Sequence, residues 1–273
     1  KTFTYITGGG TASEQSIHQL KSNTEISTYI TSSPISGEAH KIYRSDISGA
    51  QTFNIKDSII HDFDRGVGYV NFRGHAGSHD WEVAMTDPNT LNNGTRLPLI
   101  LSLTCFTGEN SKSDYRGFGE RFMYLNNKGA IGFIGTTGWS YSQQGNDFGT
   151  FIINSFRTDS TRRMGDLTKY ANKRMSQDSI SFNVRHTVNC YSLLGDPAAK
   201  LKFPVRPEFS ITNSDYKVSN EFPVINDNVT ISVYPKNFGL YADSCKIRFQ
   251  LFKNNLLYSV KDTIRRNFAH LDT

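Results

Sequence analysis

Apolar and polar positions follow two rhythms along this chain, and the change falls near residue 204. Before it, short apolar runs are separated by stretches with helical spacing. Phe3 to Thr7 predicts a strand, followed by Gly8-Gly9-Gly10 and a helix that opens at Thr11 or Ser13 and runs through Leu20 to about Ile30. Ser13 is the expected N-cap, because its hydroxyl can accept from an amide of the first turn. His40 to Tyr43 predicts a strand, Ile55 to Phe63 a helix, Tyr69 to Phe72 a strand and Arg116 to Leu125 a helix. Leu99 to Thr104 and Ala130 to Ile134 are almost continuously apolar, as in strands buried on both faces. Further helices are expected near Phe148 to Phe156 and Met164 to Met175. Strands spaced by helices predict an α/β fold, a parallel sheet flanked by helices.

Beyond Leu201-Lys202-Phe203, Pro204 and Pro207 end the helical periodicity. Short alternating segments follow, such as Val229 to Val233 and Cys245 to Leu251, separated by Asn, Asp and Gly turns. These predict the start of an immunoglobulin-like β-sandwich. Roughly 65 residues fall short of the about 100 that such a sandwich uses, so this domain is expected to be truncated. The expected division is residues 1–204 and 205–273.

With 273 residues and 37% hydrophobic content, the chain can bury one substantial core and a second small one. It contains no membrane span, which would need about 18 consecutive apolar residues, and no signal segment at its start. Either it is cytoplasmic or its targeting segment lies outside this sequence; a strand that begins at Lys1 without an initiator Met favours an excised piece. A formal charge of +5 and a pI of 9.0 invite a polyanion partner, but Lys and Arg are scattered, so nucleic acid is not expected. Three cysteines, at 105, 190 and 245, give neither a disulfide framework nor metal-type spacing. Cys190 and Cys245 sit among strand-like residues and read as small buried hydrophobes.

Cys105 is different. The run Leu97 to Leu103 delivers it into Phe106-Thr107-Gly108-Glu109-Asn110, a cluster of turn residues, and thirty positions upstream Val67 to Phe72 delivers His75 into Gly74-His75-Ala76-Gly77. Two strand ends therefore offer a thiol and an imidazole. A thiol with an ordinary pKa of about 8.5 is mostly protonated at neutral pH, and a neighbouring imidazole supplies the base that makes it a nucleophile. The carboxyl ends of parallel strands form the crevice in which such groups would meet. His79, Asp80 and Glu82 beside Trp81 lack a recognised metal-ligand spacing and read as a solvated loop. Asp147 and Asp196 read as helix-start or turn residues.

These motifs carry a resemblance. Asn71 to Ser78 with Trp81, the approach from Leu97 to Cys105 and on to Glu109, Gly129 to Thr137 with Trp139, and Leu194-Gly195-Asp196-Pro197 together resemble the gingipain family of cysteine peptidases over about residues 1 to 204. The resemblance implies a caspase-like fold and a Cys105–His75 dyad. It also implies oxyanion donors among the main-chain amides of Gly74 to Gly77, Ala76 included, and of Cys105. Thr136, Thr137 and Trp139 would wall the pocket for the residue before the scissile bond, although Trp139 can equally be read as a cap on the core edge. The family's orienting carboxylate has one candidate here, Glu14, and Ala76 stands where the family shows a second glycine. The upstream half-domain of the family is absent from this sequence. Catalysis of this kind needs no cofactor; calcium binding stays open, since the sequence does not show it. Protein or peptide substrates and a secreted or cell-surface location follow from the resemblance. Sortase-like members of the family transfer cargo in type IX secretion, so transpeptidation with secretion-system partners is an alternative outcome of the same chemistry. A non-catalytic surface module on a peptidase scaffold is another.

Overall fold

The computed structural model describes residues 2–47, 51–158, 161–178 and 181–269. These form two compact units, residues 1–32 with 37–203 and residues 33–36 with 204–273.

The first unit is built on a six-stranded sheet in the order β2-β1-β3-β4-β5-β6. Its strands are β1 (Thr2–Thr7), β2 (Glu38–Tyr43), β3 (Tyr69–Arg73), β4 (Leu99–Leu103), β5 (Gly132–Thr136) and β6 (Tyr191–Gly195). All run parallel except β6, which pairs antiparallel with β5. The sheet is therefore mixed at one edge, where the sequence predicts parallel strands alone. The reason is local: helix α6 (Phe182–Cys190) runs straight into β6 without a crossover, and neither α6 nor β6 shows enough apolar periodicity to be read from sequence. The other helices are α1 (Ala12–Glu25), α2 (Ile55–Arg65), α3 (Phe118–Met123), α4 (Ser142–Thr158) and α5 (Met164–Asp178). A π-helical turn, Ile26–Ile30, extends α1.

β3, β4 and β5 are buried along their whole length, as strands covered by helices on both faces must be. Phe72, Trp81, Phe118, Phe122 and Phe133 form the aromatic centre of one layer, with Phe72 and Trp81 stacked at 4.5 Å. Full burial of such side chains is worth about 1.5–3 kcal/mol each. The cap of α1 is Thr11 and not Ser13. Thr11 Oγ1 accepts from Glu14 N at 3.2 Å, and Glu14 Oε2 accepts from Thr11 N at 3.0 Å. Only Thr11 is spaced for this reciprocal box, which satisfies two orphan donors at once.

The second unit contains three antiparallel pairs: β7 (Phe209–Ser210) with β10 (Lys236–Asn237), β8 (Tyr216–Val218) with β9 (Ile231–Val233), and the long hairpin β11 (Ala242–Lys253) with β12 (Leu256–Phe268). Asn254 and Asn255 join that hairpin with φ of 49° and 62°, the left-handed backbone a two-residue turn requires. Cys245 is buried in β11.

Candidate active site

Register decides what meets at the carboxyl end of the sheet. Every paired residue of β3 and β4 differs by thirty positions, so Arg73 lies opposite Leu103, and His75 and Cys105 each follow their strand end by two residues. Thr7 of β1 is level with Arg73, which adds the loop leading to Glu14. A cleft of about 280 Å³ opens there, lined among others by Glu14, His18, Arg73, Gly74, His75, Cys105 and Asn146.

Cys105 is half-buried. Its Sγ accepts from Ser140 N at 3.3 Å, which holds it against the loop after β5. The turn it begins is strained: Phe106 has φ of 60°, uncommon for a bulky residue, and its ring packs edge-on against Trp139 at 5.0 Å. Such outliers cluster at functional turns, where surrounding bonds over-determine them. Here those bonds are Phe106 N to Gly138 O at 2.9 Å, Gly108 N to Thr136 O at 2.8 Å and Thr136 Oγ1 to Thr104 O at 2.7 Å.

His75 is 60% exposed, and its Nε2 lies 3.3 Å from Glu14 Oε1. The capping box fixes this carboxylate from the other side, through Gly10 N and Thr11 N on Oε2. Burial pushes the Glu14 carboxyl up, but His75, the Gly10 amide and the Thr11 side chain outweigh it and hold the group below its ordinary value. Glu14 is thus an anion at neutral pH, placed in the first turn of α1 where the helix dipole also favours negative charge. His75 and Cys105 share the cleft without a direct hydrogen bond between them; catalytic bonds are often long before substrate binds.

Three residues that sequence reasoning did not find complete the site. Glu82 belongs to the stretch read as solvated, yet its side chain is largely buried. Its Oε1 accepts from His75 N at 2.5 Å and Gly9 N at 2.7 Å, while Oε2 meets Arg44 Nη1 at 3.2 Å. A Cβ at Gly8 or Gly74 would collide with this carboxylate, so those glycines make room for it. His18 also lines the cleft; burial first, then the charges of Arg73 and His75, keep its pKa low. Arg73 is the third, with its partner Glu25 at 2.6 Å. The signal for Glu82 and Arg73 lay in pairings between distant residues, which periodicity does not carry.

The other expected site residues fall as follows. Gly74 lines the cleft, whereas Ala76 bridges to Trp81 and Gly77 N donates to Asp80 O at 3.3 Å. Ala76 does not have positive φ, so replacing glycine there costs the backbone nothing. Thr136 is buried and its hydroxyl donates to Thr104 O just before Cys105, whereas Thr137 Oγ1 turns to Cys190 O, and neither is among the residues that line the cleft. Trp139 is 67% exposed beside Ser140, which does line it. Cys190 is half-exposed at the end of α6, 3.4 Å from His186 Nε2, and is not the buried hydrophobe its neighbours suggested. Among the described residues no group of three or more His, Cys, Asp and Glu is clustered as metal ligands would be, and no helix is long and apolar enough to cross a membrane.

The sequence profile of peptidase family C25 matches residues 1–202. The fold is similar to that of the Arg-specific cysteine proteinase gingipain R, with 14% identity and a TM-score of 0.58 over 98% of this chain and 61% of that one. It is also similar to the complex of Porphyromonas gingivalis RgpB pro- and mature domains, with 13% identity and a TM-score of 0.60 over 98% of this chain and 62% of that one. At such identities the likeness is one of fold, the caspase-like arrangement, and this chain spans about three-fifths of those solved chains. No curated protein matches the sequence significantly.

Proposed function

The chain belongs to peptidase family C25, and from that premise we propose that it is a cysteine endopeptidase acting on protein or peptide substrates through an acyl-enzyme at Cys105. The observation that carries this reading is the level register of β3 and β4, which opens thiol and imidazole onto one cleft with a carboxylate fixed behind the imidazole.

Cys105 Sγ attacks the substrate carbonyl carbon as its proton passes to His75. The tetrahedral oxyanion is received by the main-chain amide of Cys105 with that of Gly74 or Ala76, because those of His75 and Gly77 are already committed to Glu82 and Asp80. As the C–N bond breaks, the imidazolium returns the proton to the leaving amine. Water then attacks the thioester, gives a proton to His75, and the C–S bond breaks to release the acid and restore the thiol. Glu14 stabilises the imidazolium that forms twice in this cycle. The steps need no cofactor. Trp139 provides an exposed aromatic wall for the substrate chain, and the protein is read as secreted or cell-surface on the strength of the gingipain resemblance.

Replacing Cys105→Ala should abolish peptide cleavage with the fold intact by circular dichroism; retained cleavage would remove Cys105 as nucleophile. Turnover with an added amine distinguishes the transpeptidase alternative, since amide adducts in preference to free acid would convert the acceptor from water to amine. A folded wild-type chain inactive in both assays would leave a non-catalytic scaffold.

A further inference from the structure

The inner wall of the cleft is a guanidinium. Arg73, the last residue of β3, is 2% exposed and lines the same recess as Cys105 and His75. Four of its N–H groups are spoken for: Nη2 donates to Glu25 Oε2 at 2.6 Å, Nη1 to Asn71 Oδ1 at 2.6 Å and to Ser22 Oγ at 3.2 Å, and Nε to Asn146 Oδ1 at 3.0 Å. Glu25 is equally occupied, since its Oε1 accepts from Tyr5 OH at 2.7 Å. The pair is buried and charge-balanced, with four of the five guanidinium N–H groups and both Glu25 oxygens hydrogen-bonded. Such a pair holds its place because losing either member would strand a buried charge.

Two consequences follow for a side chain entering the recess. A Lys or Arg would be desolvated against a guanidinium already paired with Glu25, and no carboxylate would be free to receive it: Glu25 is held by Arg73 and Tyr5, and Glu14 at the rim by His75 and two amides. An Asp or Glu would be desolvated beside a cation whose charge Glu25 already neutralises. The rest of the lining offers no further carboxylate: His18 is kept neutral chiefly by burial, and Ile17, Leu103, Thr104, Ser140, Ser142 and Asn146 are apolar or uncharged.

We propose that the residue whose carbonyl Cys105 attacks is uncharged, and that Arg73 is the specificity-determining residue that excludes basic side chains. This rests on the peptidase reading above, and it sets the chain apart from the Arg-specific neighbour.

The test is to profile the intact chain on fluorogenic peptides that vary only at the residue before the scissile bond, with an active-site thiol titration in parallel. Cleavage after uncharged residues, with Lys and Arg slower by about 100-fold or more, supports the proposal. Comparable or faster cleavage after Lys or Arg, or a preference for Asp or Glu, overturns it while leaving the peptidase reading standing. No cleavage of any peptide by titratable enzyme would count against both. Arg73→Met sharpens the result: it frees the Glu25 carboxylate, so relative cleavage after Lys and Arg should rise by about tenfold or more. The double variant Arg73→Met/Glu25→Gln removes both charges, folds more readily, and should show no such gain. A basic preference in the double variant equal to that of Arg73→Met would also overturn the role given to Arg73.

Discussion

The two loops that meet in the cleft follow adjacent parallel strands, yet they are held in different ways. The Cys105 loop is tied through its main chain, by Gly108 to the last residue of β5 and by Phe106 to the loop after it, and pays for its shape with one strained residue. The His75 loop is tied through side chains, above all the Glu82 carboxylate that gathers amides from His75 and Gly9. The geometry of the proposed nucleophile is therefore a property of the backbone around it, and that of the proposed base rests on one largely buried acid. Glu109 joins the two, accepting from Ser78 at 2.8 Å on one side and from Tyr115 at 2.8 Å on the other.

If this contrast is right, Glu82→Ala should do the most damage. Misplacing a catalytic group by about 1 Å costs about 100-fold, and kcat/KM should fall by that order. Glu82→Gln keeps an acceptor for the two amides and should recover most of the loss; equal damage by both variants would mean that charge and not positioning matters at this site. Glu14→Gln should come next. An orienting partner of a functional histidine is worth about tenfold or more, so kcat should drop with KM nearly unchanged. Thr136→Val removes a donor from the Cys105 loop and should lower stability by about 1 kcal/mol in denaturant titration. Activity should fall less than in Glu82→Ala, because the main-chain bonds of Phe106 and Gly108 remain.

The smallest expected effect is a pH dependence of the tie at Glu109. Its hydrogen bond from Ser78, with burial opposing and Tyr115 and Lys112 assisting, holds the carboxyl below its ordinary value of 4.5. A carboxyl depressed in the folded state contributes stability that is complete above its unfolded pKa and is lost as pH falls through the folded value. Hydrogen exchange of residues 105–117 should accelerate below about pH 4.5 in the wild-type chain, and this acceleration should be absent in Glu109→Gln.

How much of this was legible in the sequence follows the same divide. The strands β3 and β4 could be read because helices on both faces leave them continuously apolar, and Cys105 and His75 because each interrupts such a run among turn residues. Glu14 was within reach since a first-turn acid after three glycines is a local pattern. Its capping partner Thr11 was misjudged as Ser13, two residues inside the helix. Glu82, Arg73 and Glu25 were not legible: a buried charge is identified by its partner, and Arg73 and Glu25 lie 48 positions apart. Thr136 is a pocket residue on the family resemblance alone, and its hydroxyl turns inward to the Thr104 carbonyl.

The central claim, that Cys105 is a nucleophile activated by His75, is tested most directly by labelling the intact chain with a peptidyl thiol-reactive probe and mapping the modified cysteines. Rapid labelling of Cys105 alone, slowed by about 100-fold in His75→Ala, is the expected result. Equal rates at Cys105, Cys190 and Cys245, or labelling of Cys105 that is indifferent to His75→Ala, would contradict it.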